Sequence, residues 1–152
     1  MKKLFILLLL PAILFSCKKK NNCGEVTDTA PASEVATLKD YINTFGITAT
    51  EDSRGFFYSI INAGGSDKPT ICNEVKVNYV GRLTNGSVFD QGSGTSFFLS
   101  NLIKGWQEGI PLIGAGGKII LYIPPSLAYG GSVAGSIPAN SNLIFEIELL
   151  GF

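Results

Sequence analysis

Very few residues of this 152-residue chain could carry acid–base or metal chemistry. Histidine is absent, which excludes a His-based triad, a His-ligated metal and an imidazole proton shuttle. No nucleophile elbow or paired-cysteine metal motif occurs either. The run Gly116-Gly117-Lys118 is not a phosphate loop, because Leu112 stands where the first glycine is needed and Ile119 replaces Ser or Thr. Any chemistry must do without the commonest general base, and we expect no metal and no cofactor.

The remaining candidates for a functional site are aromatic residues. Trp106 lies beside Gly105 and three residues before Gly109, in a stretch with helical spacing. Glycine in a helix interior costs about 1 kcal/mol, so close approach of a backbone or a ligand is a reason for both glycines. Other aromatic residues fall at strand spacing, where the pattern alone more often indicates plain core. These are Tyr79, Phe89 and Phe145.

Composition bounds the class of protein. The chain has 12 Lys+Arg and 12 Asp+Glu, so its formal net charge is zero and it offers no basic field for nucleic acid. The hydrophobic content of 45% is enough for a core, and 18 glycines imply many turns and favour a β-rich fold. The length fits one compact domain with a targeting segment and a short tether.

Residues 1–16 have the pattern of an export signal. Lys2 and Lys3 precede an almost unbroken apolar run, which is too short for a comfortable permanent membrane span. The sequence LFSC, which ends at Cys17, resembles a bacterial lipobox. We expect removal of residues 1–16 and lipidation of Cys17, which places the protein in the bacterial cell envelope, at the outer membrane or the periplasmic face. An ordinary secretory signal or an uncleaved anchor is the alternative.

Two segments precede the main domain. Residues 17–32 are polar and predict a flexible tether that carries the lipidated cysteine. Residues 33–54 contain an amphipathic helix, which we expect to be capped by Ser33, to extend to Phe45 and to be ended by Gly46. A short amphipathic helix is usually docked on its own domain, and dimerisation through this helix is the less favoured alternative.

Two cysteines follow the proposed lipid site. Cys23 and Cys72 could pair in an oxidising envelope and would then tie the tether to the domain. The pair has one connectivity, but the sequence does not give the distance between the two residues, so the disulfide is left open.

In residues 55–152, apolar and polar residues mostly alternate as in β-strands, and one short stretch has the apolar spacing of a helix. Val75, Val77, Tyr79 and Leu83 share one strand face, and Asn85-Gly86 then predicts a hairpin. The helix is expected over residues 102–110, capped by Ser100 or Asn101. Further strands are predicted over residues 56–61, 88–90, 118–123 and 143–149. The predicted fold class is α+β, a curved antiparallel β-sheet wrapped around one short α-helix, with an extra N-terminal helix.

Five blocks of this region together resemble one family. They are VKVNYVG at 75–81, NGSVFD at 85–90, LIKGWQEG at 102–109, LAYG at 127–130 and LIFEIELL at 143–150. In this order and spacing the blocks resemble the FKBP-type (immunophilin) peptidyl-prolyl isomerases. The resemblance implies an antiparallel sheet around one short helix, with a pocket between them, and an enzyme that accelerates rotation about X-Pro bonds.

The resemblance also assigns roles to individual residues. Trp106 resembles the floor beneath the proline ring, with Leu102 and Ile103 beside it, and the Ile103 N–H resembles a donor to a substrate carbonyl. The Tyr129 hydroxyl resembles a second donor on the rim, and Asp90 resembles a carboxylate at the pocket edge that orients neighbouring groups without acting as a general base. The resemblance assigns the aromatic walls and an apolar rim contact to Tyr79, Phe89, Phe145 and Ile137. Taken from the pattern alone, Asp90 is equally a turn residue and Tyr129 an ordinary loop aromatic.

The chain departs from the family pattern at a few positions. Thr95 falls where many members carry another aromatic wall, so a pocket that is more open on that side is expected. Ser136 stands where a larger apolar residue is frequent, and the loop before Phe145 is short. We expect these differences to affect substrate preference and macrolide affinity more than activity.

The resemblance predicts an isomerase that assists the folding of exported proteins. Its expected partners are Pro-containing unfolded or folding polypeptides, the membrane through the lipid anchor, and macrolide inhibitors. We expect a monomer, because the tether is too short for a long helical dimerisation arm. The alternatives are a catalytically weak module that only binds Pro-containing segments, and a lipid-anchored structural or small-ligand barrel.

Overall fold

The computed structural model describes residues 23, 24 and 26–152. It contains two α-helices, three 3-10 turns and six strands in the described residues. The helices are α1 (Ala32–Thr44) and α2 (Lys104–Gly109), and the strands are β1 (Thr50–Glu51), β2 (Phe57–Asn62), β3 (Glu74–Leu83), β4 (Val88–Phe98), β5 (Lys118–Ile123) and β6 (Leu143–Gly151).

The six strands form one antiparallel sheet in the order β1-β2-β5-β6-β3-β4. The hairpin predicted at Asn85-Gly86 joins β3 to β4, and Gly86 takes a φ of 86°, which glycine adopts without steric cost. The 3-10 turns are Leu99–Asn101, Ile110–Leu112 and Pro125–Leu127. The predicted α+β class, with a curved sheet around a short helix and an added N-terminal helix, is confirmed.

The main core lies between α2 and one face of the sheet. Alternate residues of β5 and β6 point to this side, as the period-two pattern predicts. Trp106 and Ile110 meet them from the helical side. The sheet residues of this core include Ile119, Leu121, Ile123, Leu143, Phe145, Ile147 and Leu149.

Helix α1 covers the opposite face of the sheet. Leu38 and Ile42 are buried against Phe57 and Tyr122, which are the outward residues of β2 and β5. The expectation that this helix docks on the domain therefore agrees with the structure. The predicted cap at Ser33 is wrong: α1 already begins at Ala32, its N-cap residue is Pro31, and no side chain caps it.

Helix α2 is shorter than its apolar pattern suggests. Leu102 and Ile103 have extended backbones, with ψ of 173° and 150°, so the helix starts at Lys104 and the predicted cap at Ser100 or Asn101 is wrong. The apolar spacing arises because these two residues face the core from an extended segment. A close approach explains the two helix glycines, but it is made by side chains of β5 and not by a backbone or a ligand as predicted. A Cβ on Gly105 would lie 2.6 Å from Ile123, and one on Gly109 would lie 2.5 Å from Leu121.

The segment before α1 is attached to the domain. Cys23 and Cys72 form a disulfide, with their Cα atoms 5.5 Å apart. The Ala30 N–H donates to the Arg54 carbonyl at 2.8 Å, so this end of the predicted tether packs on the domain. The predicted signal segment 1–16 and Cys17 lie outside the described residues. No helix within the described part of the chain is long and apolar enough to span a membrane.

Candidate active site

An aromatic cleft opens between α2 and the sheet. Strands β3, β4 and β6, the segment before α2 and the loop after β5 each contribute to it, so the cleft exists only once the sheet has curved over the helix. Its volume is about 180 Å³. The lining residues are Tyr79, Asp90, Phe97, Leu102, Ile103, Trp106, Tyr129 and Phe145.

The indole of Trp106 forms the floor of the cleft. It is 4% exposed, and its ring centroid lies 5.2 Å from that of Tyr79 and 5.1 Å from that of Phe145. The interplanar angles of 82° and 87° are edge-to-face, an arrangement that places positive ring edges against negative ring faces. Each such pair contributes about 0.5–1.5 kcal/mol beyond its buried area. The floor is therefore held rigidly by the walls around it.

Phe97 is a wall that the sequence analysis missed. Its ring centroid is 6.1 Å from that of Trp106 and 5.9 Å from that of Tyr79, and it lines the cleft. The expectation that the pocket is more open because Thr95 replaces an aromatic wall is therefore wrong. Phe97 pairs with Val75 across the ladder and so shares the core-facing side of β3, a register that the sequence pattern alone does not indicate.

Phe89 and Ile137 stand behind the cleft rather than in its lining. The Phe89 ring packs edge-to-face on Phe145 at 5.4 Å and supports that wall. This contact requires Gly81, because a Cβ there would lie 2.6 Å from the Phe89 ring and 2.8 Å from the Phe145 ring. Ile137 is buried in the main core, and its backbone bridges Ala134.

The polar edge of the cleft is built around Asp90. The Tyr79 hydroxyl donates to Asp90 Oδ2 at 2.9 Å, and the Gln91 N–H donates to Oδ1 at 2.9 Å. Burial, the hydrogen bond to Asp90 and the negative charge of that carboxylate raise the pKa of Tyr79 to about 12. Tyr79 is thus a neutral donor at physiological pH, and it fixes the carboxylate at the rim.

Two further donors at the cleft make no hydrogen bond within the described residues. Ile103 precedes α2, and its N–H has no acceptor among the residues that the structure describes. The Tyr129 hydroxyl likewise makes no hydrogen bond within the described residues, and its side chain is 43% exposed. Burial and the charge of Asp90 raise the pKa of Tyr129, so its hydroxyl also stays protonated.

Gln107 holds the corner from which Ile103 projects. It is 6% exposed, and its Nε2 donates to the carbonyls of Leu102 at 2.6 Å and Ser100 at 3.2 Å. These carbonyls belong to the irregular segment between β4 and α2, which has few backbone partners of its own. Sequence reasoning missed this role, although a glutamine within an apolar helix face was a usable signal.

The cleft can bind a small apolar ring and hydrogen-bond the carbonyls beside it. A cavity of about 150 Å³ accommodates benzene, so the observed volume suffices for a pyrrolidine ring. Asp90 is the one charged residue in the lining, and the described residues contain no cluster of His, Cys, Asp or Glu that could hold a metal. The chemistry of the cleft therefore suits a small apolar ring with carbonyl groups on either side.

Comparison with known proteins gives the family. The family model described as FKBP-type peptidyl-prolyl cis-trans isomerase matches residues 65–150, more than half of the chain. The chain belongs to the FKBP-type peptidyl-prolyl cis-trans isomerase family. It is 38% identical over 144 residues to FKBP-type peptidyl-prolyl cis-trans isomerase FkpA of Escherichia coli, a match that covers 90% of this chain and 53% of FkpA.

Solved structures agree with this assignment. The crystal structure of Escherichia coli FkpA is similar with a TM-score of 0.70 and 42% identity, covering 78% of this chain and 59% of that one. A peptidyl-prolyl cis-trans isomerase from Pseudomonas syringae pv. tomato is similar with a TM-score of 0.69 and 31% identity, covering 83% of this chain and 98% of that one. The chain spans about half the length of the curated relatives it matches.

Proposed function

We propose that this protein is an active peptidyl-prolyl cis-trans isomerase that acts on X-Pro bonds of exported polypeptides. The observation that carries the proposal is the cleft itself. It combines a buried indole floor and three aromatic walls with two unpaired donors at its edge. The family assignment and the relatives' names support the same activity.

The physics of the reaction explains why such a cleft suffices. Rotation about a peptide bond breaks its resonance and meets a barrier of about 18–20 kcal/mol. Uncatalysed exchange of X-Pro bonds takes on the order of tens to hundreds of seconds. A twisted amide has lost much of its charge separation, so an apolar site stabilises it more than the planar amide. Every 1.36 kcal/mol of this difference is about a tenfold gain in rate.

Each polar group has a part in this scheme. The proline ring lies on Trp106, the Ile103 N–H binds a substrate carbonyl, and the Tyr129 hydroxyl binds a second one. Asp90 orients the Tyr79 hydroxyl and thereby the wall beside the ring. The reaction needs no proton transfer, because rotation about the amide makes and breaks no bond to another atom. The raised pKa of both tyrosines keeps them as neutral donors.

We further propose that the protein is a monomer anchored to the bacterial envelope through a lipid on Cys17. The support is the sequence of residues 1–17: a basic start, an apolar run and a lipobox-like LFSC. Replacement of Cys17 by alanine should move the protein from the membrane fraction to the soluble fraction and abolish incorporation of labelled fatty acid. Unchanged fractionation and labelling would exclude Cys17 as the anchor.

The activity is tested by refolding of a protein whose slow phase is limited by proline isomerisation. The wild type should accelerate that phase, and a macrolide of the kind that inhibits this family should suppress the acceleration. The double variant Trp106→Ala with Tyr129→Phe should strongly reduce the acceleration. Tyr41→Phe, which removes a tyrosine hydroxyl on α1 just as Tyr129→Phe does at the cleft, should leave the acceleration unchanged. Binding of Pro-containing peptides without any acceleration would instead establish the catalytically weak binding module.

A further inference from the structure

In the 3-10 turn Pro125–Leu127, one backbone N–H has no acceptor within the turn. The first N–H groups of any helical turn lack intrahelical acceptors, and Pro125 has no N–H, so the unmet donor is that of Ser126. Its acceptor comes from a distant part of the chain. The Ser126 N–H donates to Glu34 Oε2 at 2.9 Å, across 92 residues of sequence. A carboxylate acceptor makes this a charge-assisted hydrogen bond.

The capped turn leads directly to Tyr129. The N–H groups of Ala128 and Gly130 both donate to the Pro125 carbonyl, at 2.9 and 2.8 Å. Leu127 is 2% exposed and fixes the turn to the core. Residues 125–130 therefore form one small unit, and an interaction at residue 126 contributes to where the Tyr129 hydroxyl lies.

The chain beyond this unit reaches Tyr129 through one long backbone hydrogen bond, and no described residue bonds its hydroxyl. Between Gly130 and Leu143 the backbone hydrogen bonds are few. The Ser132 N–H donates to the Tyr129 carbonyl at 3.4 Å, the Asn140 N–H donates to the Gly130 carbonyl at 2.9 Å, and Ala134 and Ile137 bond to each other. One residue of this loop, Val133, is 71% exposed. Segments with few backbone bonds and much exposed surface open at low free-energy cost. A contact that holds the first residues of this loop therefore contributes much of the conformational order of the loop.

Helix α1 is a rigid base for this contact. Leu38 is fully buried and Ile42 is 5% exposed on the outer face of the sheet, so Glu34 projects from a fixed turn of the helix. Glu34 lies outside residues 65–150, the part of the chain that the family model matches. Asp40 lies on the same helix, is exposed and makes no hydrogen bond or ion pair with the described residues, which makes it a matched control.

We propose that Glu34 is a positioning residue for the isomerase site, acting through the Ser126 N–H to hold Tyr129 at the rim of the cleft. The proposal rests on the proposed isomerase function. It assigns to the N-terminal helix a role in catalysis besides packing, because α1 supplies the acceptor that the loop needs.

Amide hydrogen exchange of the whole protein tests the contact without any assay of activity. In Glu34→Ala, exchange at Ser126, Ala128 and Gly130 should rise about tenfold, which corresponds to about 1.4 kcal/mol of lost protection. Glu34→Gln keeps an acceptor oxygen and should restore most of the protection, while Asp40→Ala should match the wild type. Unchanged exchange in Glu34→Ala, or a rise confined to Ser126, overturns the proposal.

A double-mutant cycle then tests the link to catalysis. Glu34→Ala should lower kcat/KM by about fivefold in the wild type but by less than about twofold in Tyr129→Phe, since the hydroxyl it positions is already absent. Equal losses in both backgrounds would show that Glu34 does not act through Tyr129. If the wild type proves inactive, the proposed function fails, and hydrogen exchange still decides whether Glu34 orders the loop.

Discussion

Phe97 offers the sharpest single test of how the cleft is built. Strand β4 places Phe97 in the cleft and Phe98 on the other side, where its side chain is 57% exposed. The same substitution at neighbouring positions therefore gives a perturbation and its control. We expect Phe97→Leu to impair isomerisation and Phe98→Leu to leave it unchanged.

The size of the effect follows from the contacts of the ring. Leucine has about three fewer side-chain carbons than phenylalanine, and each buried methylene contributes about 0.8 kcal/mol. Phe97 exposes at most about a third of its surface to the cleft, so about a third of that sum, or about 0.8 kcal/mol, is lost from the contact with the substrate ring. This loss converts to a decrease of about fourfold in kcat/KM. Stability should fall by about 1 kcal/mol from weaker edge-to-face contacts with Trp106 and Tyr79.

The assay is the rate of cis–trans exchange of an X-Pro peptide, with urea unfolding of the same samples to confirm that both variants are folded. Thr95→Val provides a second control at the position that the family pattern suggested. Equal rates for Phe97→Leu and Phe98→Leu, or a larger loss in Thr95→Val, would refute the assignment of the wall.

Three further predictions follow from contacts at the edges of the fold. Reduction of Cys23–Cys72, which are 49 residues apart, should lower the free energy of unfolding by up to about 4 kcal/mol in urea titrations with and without dithiothreitol; two alkylatable thiols in the untreated protein would show that the bond is absent. Because the pKa of Tyr79 is raised to about 12, the unfolded chain loses this proton first, so stability should be intact below pH 10 and decline between about pH 10 and 12. Tyr79→Phe should flatten that decline, and an identical pH profile would contradict the raised pKa. Asn78→Ala should cost about 1–3 kcal/mol of stability, because Asn78 Oδ1 accepts from the Gly94 N–H at 2.8 Å and its Nδ2 donates to Glu148; a change below about 0.5 kcal/mol in thermal unfolding would contradict it.

The position of Phe97 shows why residue spacing alone missed a wall. Arg82 pairs with Val88, and a regular ladder continued from there would place Thr95 opposite Val75. The register shifts between Gly81 and Arg82 and again between Val77 and Tyr79, so residue 97 faces Val75 instead. The second shift is held by Asn78, whose side chain binds Ser93 and Gly94. Bulges depend on such contacts across strands, which the alternation of apolar residues does not reveal.

The strands were predictable where one face is buried and the other is not. In β6, Leu143, Phe145, Ile147 and Leu149 are all buried, as their alternation indicates. The helix ends were less predictable. Leu102 and Ile103 have helical spacing, but their backbones are extended because Gln107 binds the carbonyls before the helix.

Contacts between distant parts of the chain were beyond the sequence. The bond from Ser126 to Glu34 depends on α1 and the loop after β5 meeting at one place. No local pattern in either segment indicates that encounter. The pairing of Cys23 with Cys72 was left open for the same reason.

The proposed catalysis requires the apolar cleft over Trp106 to lower the barrier to rotation about a prolyl bond. Magnetisation-exchange NMR on a short X-Pro peptide measures that rotation directly, without a protease or a folding protein. We expect catalytic amounts of the wild type to increase the exchange rate severalfold, and Trp106→Ala to remove most of the increase. An exchange rate that is the same with and without the folded wild-type protein would contradict the central claim.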